Sequence, residues 1–259
     1  MKKILMMAAM VSMLASCGGN GAKKAEAPAE DNANTVVLFD GSSTEGWRGY
    51  GMETLPARWT IEDGCLKING SGGGEAHVAD GGDIIFAAQK FKNFELELEW
   101  KVAKGSNSGI FILAQEVKKE DGTYEPIYIS SPECQVLDNE NHPDARLGKD
   151  GNRMSSSLYD MIPAKPQNSK PAGEWNKVKI MVYKGTVVHF QNDVAVVEYH
   201  LWTPQWTEML QASKFSEEKW PVAFNLLNNC GGENHEGYIG FQDHGDDVWF
   251  RNIKVKVLE

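Results

Sequence analysis

Residues 94–101 read Phe-Glu-Leu-Glu-Leu-Glu-Trp-Lys, and this stretch decides the fold class. Apolar side chains alternate with three glutamates along it. Because successive side chains of a β-strand point to opposite faces of a sheet, this period of two predicts an antiparallel strand with one buried face and one solvated face.

Similar short stretches follow along the chain, separated by turn signals such as Lys184-Gly185. Together with the first, the predicted strands are 94–101, 107–114, 177–183, 187–191, 194–199, 238–242 and 248–257. One stretch, 204–212, predicts a helix, because Thr203 is a good N-cap and Pro204 suits a first helical turn. Many short strands and one short helix predict an all-β sandwich or jelly roll, with residues 36–259 as one domain.

The first 17 residues resemble a bacterial lipoprotein signal. Two lysines precede an apolar run, 4–14, that is too short to span a bilayer. Leu14-Ala15-Ser16-Cys17 matches the lipobox, whose cysteine is acylated and becomes the mature N-terminus. We therefore expect a signal peptide over 1–17, lipidation at Cys17 and a flexible tether over 18–35. The expected location is the bacterial cell envelope, at the periplasmic face of the outer membrane; an ordinary cleaved signal is the alternative.

Charge and motifs argue against two classes of ligand. The formal net charge is −10, whereas nucleic-acid binding needs a basic face. The glycine-rich stretch 70–82 lacks the Lys-Ser/Thr pair and the following helix of a phosphate-binding loop. We therefore expect no nucleic-acid partner, and a mobile surface loop rather than a nucleotide site.

Three cysteines remain after Cys17, namely Cys65, Cys134 and Cys230. An odd number leaves at least one thiol free. Their wide spacing also lacks the pattern of a zinc site. We expect buried free thiols and no structural disulfide.

Glu95, Glu97 and Glu99 allow two interpretations. Retaining glucanases use paired carboxyl groups ~5–5.5 Å apart, and side chains on alternate strand positions, about 6.5–7 Å apart, are able to converge to that distance. The other interpretation is the solvated face of an amphipathic strand. If one of the three enters a site, Glu99 is the candidate.

Two further clusters of polar residues lie at predicted strand ends, where sites are often found. Glu133 and Gln135 share one strand face, and the loop 139–144 that follows contains His142, a side chain able to transfer protons near neutral pH. Gln242 and His244 share a face at the end of another strand. Solvated strand faces and histidines without a catalytic role fit the same pattern.

Asp243, between those two residues, is predicted to cap its turn, because Asp side chains bond nearby backbone amides. A divalent metal would need histidines and carboxylates that converge in space. Glu133 and His244 are the first candidate ligands, with His142 and Asp144 beside them. No ligand spacing in the sequence demands a metal, so the cofactor question stays open between none and a divalent cation.

Read together, the segments from about residue 36 to residue 259 resemble the 3-keto-disaccharide hydrolase family, also described as 3-keto-glucoside 1,2-lyases and 3-keto-2-hydroxyglucal hydratases. The resemblance is carried by 38–41 (Leu-Phe-Asp-Gly) with Gly46-Trp47, 59–64 (Trp-Thr-Ile-Glu-Asp-Gly), 94–101, 107–111 (Asn-Ser-Gly-Ile-Phe), 133–138 (Glu-Cys-Gln-Val-Leu-Asp), 158–160 (Leu-Tyr-Asp), 173–176 (Gly-Glu-Trp-Asn), 240–245 (Gly-Phe-Gln-Asp-His-Gly) and 248–253 (Val-Trp-Phe-Arg-Asn-Ile). Each motif is weak alone, whereas the ordered set is specific.

The resemblance implies a concanavalin-like jelly roll of two antiparallel sheets, with the site on the concave outer face of one sheet. It implies an enzyme that cleaves 3-keto-glycosides by elimination across C1–C2, by hydration, or by both, with an oligosaccharide or glycoside as substrate. His244 or His142 would be the acid/base, with Glu133 as partner carboxylate or metal ligand. The candidate substrate-binding residues are Asn107, Gln135, Gln242, Glu99, Asp138 and Tyr159.

One position departs from the family pattern. Many members carry an arginine two residues after the Asn-Ser-Gly-Ile-Phe motif, where this chain has Leu113. Recognition of the leaving sugar by an arginine at that position is therefore in doubt. Three alternatives to the enzyme also stay open: a non-catalytic carbohydrate-binding lipoprotein, a conventional retaining glucanase and a structural envelope lipoprotein.

Overall fold

The computed structural model describes residues 34–71 and 81–259. Its strands are β1 (Thr35–Phe39), β2 (Trp47–Gly49), β3 (Trp59–Glu62), β4 (Cys65–Ile68), β5 (Ile84–Phe86), β6 (Phe94–Val102), β7 (Asn107–Ala114), β8 (Glu133–Leu137), β9 (Asn176–Tyr183), β10 (Thr186–Gln191), β11 (Val194–His200), β12 (Tyr238–Phe241) and β13 (Val248–Val257). Two α-helices, α1 (Pro204–Gln211) and α2 (Pro221–Asn228), and short 3-10 helices at Ile127–Ile129 and Pro143–Arg146 complete the described elements. The expected signal, lipobox and most of the tether lie outside the described residues, as does 72–80 of the glycine-rich stretch.

The strands form two sheets in which all neighbours are antiparallel. One sheet has the order β11-β10-β9-β6-β13-β4-β3, with β1 pairing β13, and the other has the order β2-β5-β12-β7-β8. The predicted all-β sandwich is confirmed, and β7 and β13 have the predicted bounds. The alternating stretch 94–101 lies in β6, which pairs with both β9 and β13 in the larger sheet.

The prediction of a single helix was wrong. The predicted helix is α1, and its cap is confirmed because Thr203 Oγ1 accepts the Trp206 N–H at 3.2 Å. The second helix, α2, has no side-chain cap and begins at Pro221. The two helices meet where Trp206 Nε1 donates to the Leu227 carbonyl at 3.0 Å. Tertiary packing therefore supports a helix whose start has a first-turn proline but no capping side chain.

The core lies between the sheets and is rich in aromatic rings. Phe241 of β12 stacks on Phe250 of β13 with a centroid distance of 4.3 Å and an interplanar angle of 7°. Both side chains are fully buried. Because the two rings belong to different sheets, this stack joins the two layers directly.

The three cysteines are buried and free, so the prediction of at least one free thiol is confirmed. Within 34–71 and 81–259, no helix combines the length and apolar character that a bilayer crossing requires.

Replacing the core ring tests the junction between the sheets. Phe250→Ala is expected to lower the free energy of unfolding by about 3–5 kcal/mol, because a buried aromatic side chain is lost and a cavity remains. Val257→Ala, at a 37% exposed position of the same strand, is expected to cost about 0.5 kcal/mol or less. Urea denaturation measures both, and equal losses in the two variants would contradict this account of the core.

Candidate active site

The register between β7 and β8 places Asn107 of β7 on the same face as Glu133 and Gln135 of β8. Gly109 lies opposite Gln135 and Phe111 lies opposite Glu133, so these positions share the outer face of the smaller sheet. Intervening residues such as Ile110 and Val136 belong to the core between the sheets. The sheet therefore presents Glu133 and Gln135 outward from a rigid, buried support.

Gly109 allows the carboxyl group of Glu133 to lie over β7. A Cβ at position 109 would collide with Glu133 Oε1. The Gln242 N–H donates to the Gly109 carbonyl at 3.0 Å, which extends the pairing past the end of β12. Gly109, which has no side chain, therefore lies between Glu133 of β8 and Gln242, which follows β12.

Side chains from β7, β8 and the segment after β12 line a cleft that opens to solvent. The lining residues are Asn107, Tyr128, Glu133, Gln135, Tyr159, Lys214, Gln242 and His244. Residues of β7, of β8 and of the segment after β12 therefore meet in one cleft. This includes Glu133 and His244, the two residues that the candidate site needed to bring together. Tyr128 and Lys214 were missed: the first lies in the 3-10 helix Ile127–Ile129 and the second follows α1, and neither position belongs to an alternating pattern.

His244 and His142 lie side by side. Their ring centroids are 5.8 Å apart and the rings are nearly perpendicular, at 83°. His244 Nδ1 lies 3.8 Å from an oxygen of Asp246, and that same oxygen accepts the Asn107 N–H at 3.0 Å. His244 therefore lines the cleft with an acidic neighbour behind it, and His142 stands next to it outside the lining.

His142 caps the 3-10 helix Pro143–Arg146. Its Nδ1 accepts the Asp144 N–H at 3.1 Å, so a neutral His142 ring carries its proton on Nε2. Burial, followed by the nearby His244, lowers the pKa of His142 below its ordinary value. His142 is therefore neutral at pH 7.

Asp243 holds the loop that carries His244. Its carboxylate accepts the Gly245 N–H at 3.0 Å, which confirms the predicted turn cap. It also accepts the Gly82 N–H at 3.0 Å and lies 3.3 Å from the buried guanidinium of Arg58. One buried carboxylate thus fixes the turn that follows β12.

Asp138 was predicted to bind substrate, and the structure gives it a different place. It is buried and does not line the cleft. Its carboxylate accepts N–H groups of Gly105 at 2.7 Å and of Glu140 at 3.1 Å. Burial opposes ionisation, but these hydrogen bonds prevail and lower the pKa of Asp138. Asp138 holds the loop that leads to His142.

The prediction for Glu99 was wrong. Glu99 belongs to β6 in the larger sheet, where Arg251 Nε donates to it at 2.9 Å and Asn252 Nδ2 at 2.6 Å. Glu95 and Glu97 lie within 3.7 Å and 3.4 Å of lysines on neighbouring strands. The three glutamates therefore form the solvated, ion-paired outer face of their strand. The alternation in the sequence predicted that one face of the strand is solvated. It could not predict that the strand belongs to the larger sheet.

Tyr159 lines the cleft, and its hydroxyl group is bound by a neighbouring carboxylate. The hydroxyl donates to Asp144 at 3.0 Å, and burial is the main reason that the pKa of Tyr159 is raised. Lys214 Nζ lies 4.4 Å from the centroid of the Tyr159 ring. Leu113, at the position where many family members carry arginine, is buried in the core with a positive φ of 56°.

The arrangement of possible metal ligands differs from the prediction. Among the described residues, His142, His244 and Asp246 have ligand atoms within 4.8 Å of one another, and Glu133 is not part of this group. A histidine that binds a metal through Nε2 normally donates its Nδ1–H to a neighbour. His142 Nδ1 instead accepts an N–H, so the group does not fit a metal in this arrangement.

Comparison with known proteins agrees with the geometry. The model of the 3-keto-alpha-glucoside-1,2-lyase-like domain matches residues 34–256. A protein of Bacteroides thetaiotaomicron named 3-keto-disaccharide hydrolase is 74% identical over 228 residues, which are 86% of this chain and 78% of that relative.

Solved structures support the fold. A provisionally assigned glycosyl hydrolase from Parabacteroides distasonis superposes with a TM-score of 0.70 at 23% identity, over 90% of this chain and 98% of that one. A Bacillus subtilis protein of unknown function with a galectin-like fold gives 0.50 at 16% identity, over 86% and 94%. With the family model and the close relative in agreement, the chain belongs to the family of 3-keto-α-glucoside-1,2-lyase-like domains.

Proposed function

We propose that this protein cleaves 3-keto-glycosides by eliminating the C1 substituent across C1–C2, and that it also hydrates the resulting 3-keto-2-hydroxyglucal. The substrate class follows from family membership and from the name of the close relative. The side chains that line the cleft carry hydrogen-bonding groups, which suits a sugar ring with several hydroxyl groups.

The observation that carries the proposal is that Glu133 is the one carboxylate among the described residues that line the cleft. Conventional glycosidases need two carboxyl groups across the scissile bond. A 3-keto sugar avoids that need, because the ketone acidifies the neighbouring C2–H and a single base is enough to start the reaction. The cleft therefore favours elimination over direct hydrolysis.

In this mechanism each residue of the cleft has a separate role. Glu133 takes the C2 proton, and His244 gives a proton to the departing oxygen and later helps water add to C1. Asn107, Gln135 and Gln242 orient sugar hydroxyl groups. Asn107 Oδ1 is buried and has no hydrogen-bond partner among the described residues, so a sugar hydroxyl would satisfy it.

Matched glutamate variants test the assignment. Purified protein is expected to convert a 3-keto-glucoside and to leave the unoxidised glucoside unchanged. Glu133→Gln is expected to lower kcat/KM by about 10²–10⁴-fold, as for loss of a general base. Glu99→Gln, which removes a carboxylate from the other sheet, is expected to leave kcat/KM unchanged.

Release of the aglycone, followed by chromatography, measures these rates. The proposed function would be refuted if the parent converts neither the 3-keto-glucoside nor the unoxidised glucoside, or converts both at the same rate. Full activity in Glu133→Gln would remove Glu133 as the base.

The pKa of His142 provides a second prediction. Burial and the nearby His244 both lower the pKa of His142. Its ring should therefore titrate below 6.5 by NMR, and the pKa should rise in His244→Gln because the like charge is removed. An unchanged His142 pKa in the variant would show that the two rings are not coupled.

We also propose that Cys17 is acylated and anchors the protein at the periplasmic face of the outer membrane. Stable anchoring takes more than one acyl chain, which the lipobox cysteine of bacterial lipoproteins provides. In fractionated cells, the parent is expected in the membrane fraction and Cys17→Ser in the soluble fraction. Recovery of the parent in the soluble fraction would argue against a lipid anchor.

A further inference from the structure

Proton removal from C2 leaves negative charge on the oxygen at C3, and a catalyst must stabilise that charge. We propose that the ammonium group of Lys214 binds the C3 oxygen and stabilises the enediolate; this inference rests on the proposed function. Lys214 would then be a catalytic residue that also selects for a ketone at C3.

The position of Lys214 suits this role. It lines the same cleft as Glu133 and His244. It follows α1, whereas Glu133 belongs to β8 and His244 follows β12. A sugar ring bound in the cleft would therefore meet a carboxylate, an imidazole and an ammonium group that three separate segments supply.

The surroundings of Lys214 favour its charged form. Its Nζ lies 4.4 Å from the ring centroid of Tyr159, 4.9 Å from that of Phe215 and 5.7 Å from that of Tyr128. Aromatic faces attract cations within about 6 Å. An ammonium group donates hydrogen bonds and is not a nucleophile, so Lys214 acts on the oxygen rather than forming a Schiff base at C3.

A network of hydrogen bonds fixes the backbone of Lys214. Its N–H donates to Asp160 at 2.9 Å, and Asp160 in turn accepts from Arg153 Nε at 2.7 Å. Arg153 Nη1 also donates to Asp144 Oδ1 at 3.0 Å. The other oxygen of Asp144 accepts a hydrogen bond from the Tyr159 hydroxyl group. One network therefore holds the backbone of Lys214 and the Tyr159 ring that its side chain contacts.

The proposed step balances without any redox partner. Glu133 takes the C2 proton, the C–H electron pair becomes the C2=C3 bond, and the C3=O π pair moves onto the oxygen beside Lys214. That pair then returns to restore C3=O, the C1=C2 bond forms and the bond from C1 to the aglycone oxygen breaks. His244 protonates the departing oxygen, and Lys214 keeps its proton throughout.

Steady-state kinetics of the full chain on a 3-keto-glucoside test the proposal. Lys214→Met and Lys214→Gln are expected to lower kcat by about 10²–10³-fold, as for loss of one oxyanion donor, with a change in KM of a few-fold. Lys214→Arg is expected to retain more activity than either variant because it keeps the charge. Lys219→Met, an exposed lysine of the same segment, is the control and is expected to match the parent.

The outcomes separate the two proposals. An active parent together with a folded Lys214→Met or Lys214→Gln variant of equal kcat overturns the role of Lys214 alone. Reduction by borohydride that traps substrate covalently on Lys214 also overturns it, because the residue would then act as a nucleophile. An inert parent overturns the proposed function and this inference with it. Circular dichroism spectra of the variants verify that they are folded.

Discussion

The register between β7 and β8 is the constraint on which the site depends. Phe111 faces Glu133 and Gly109 faces Gln135 across this pair of strands. A slip by one residue would turn Glu133 and Gln135 into the core and bring Cys134 and Val136 to the surface. Burial of the apolar set therefore fixes the outward position of the Glu133 carboxyl group, and the free energy that stabilises the sandwich also orders the cleft.

Buried polar groups then fix the loops that carry the other residues of the site. Asp243 fixes the turn that carries His244, and Asp138 fixes the loop that carries His142. On the far side, the Asp160–Arg153 pair holds Lys214. Asp138, Asp160 and Asp243 therefore hold loops and neighbouring side chains in place. Among the described residues that line the cleft, Glu133 is the one with a carboxylate. This division explains how an acidic protein presents a site with a single carboxylate.

Patterns of period two predicted most of the strands, because side-chain alternation is a local property of the backbone. They could not predict which sheet a strand joins, and Glu99 was misplaced for that reason. Glu133, Gln135, Gln242 and His244 were found because they lie at or near strand ends. Tyr128 and Lys214 were missed because irregular segments carry no period, and only tertiary packing brings them to the cleft. The helix α2 was missed because Trp220 provides no capping side chain.

In the proposed reaction, cleavage passes through loss of the C2 proton. The most direct measurement is the reaction of a 3-keto-glucoside in D2O, with the product analysed at C2 by NMR and corrected for spontaneous exchange. We expect the original C2 proton to be lost, either because a glucal forms or because deuterium replaces it in the hydrated sugar. A released 3-keto sugar that keeps its original C2 proton would rule out this elimination.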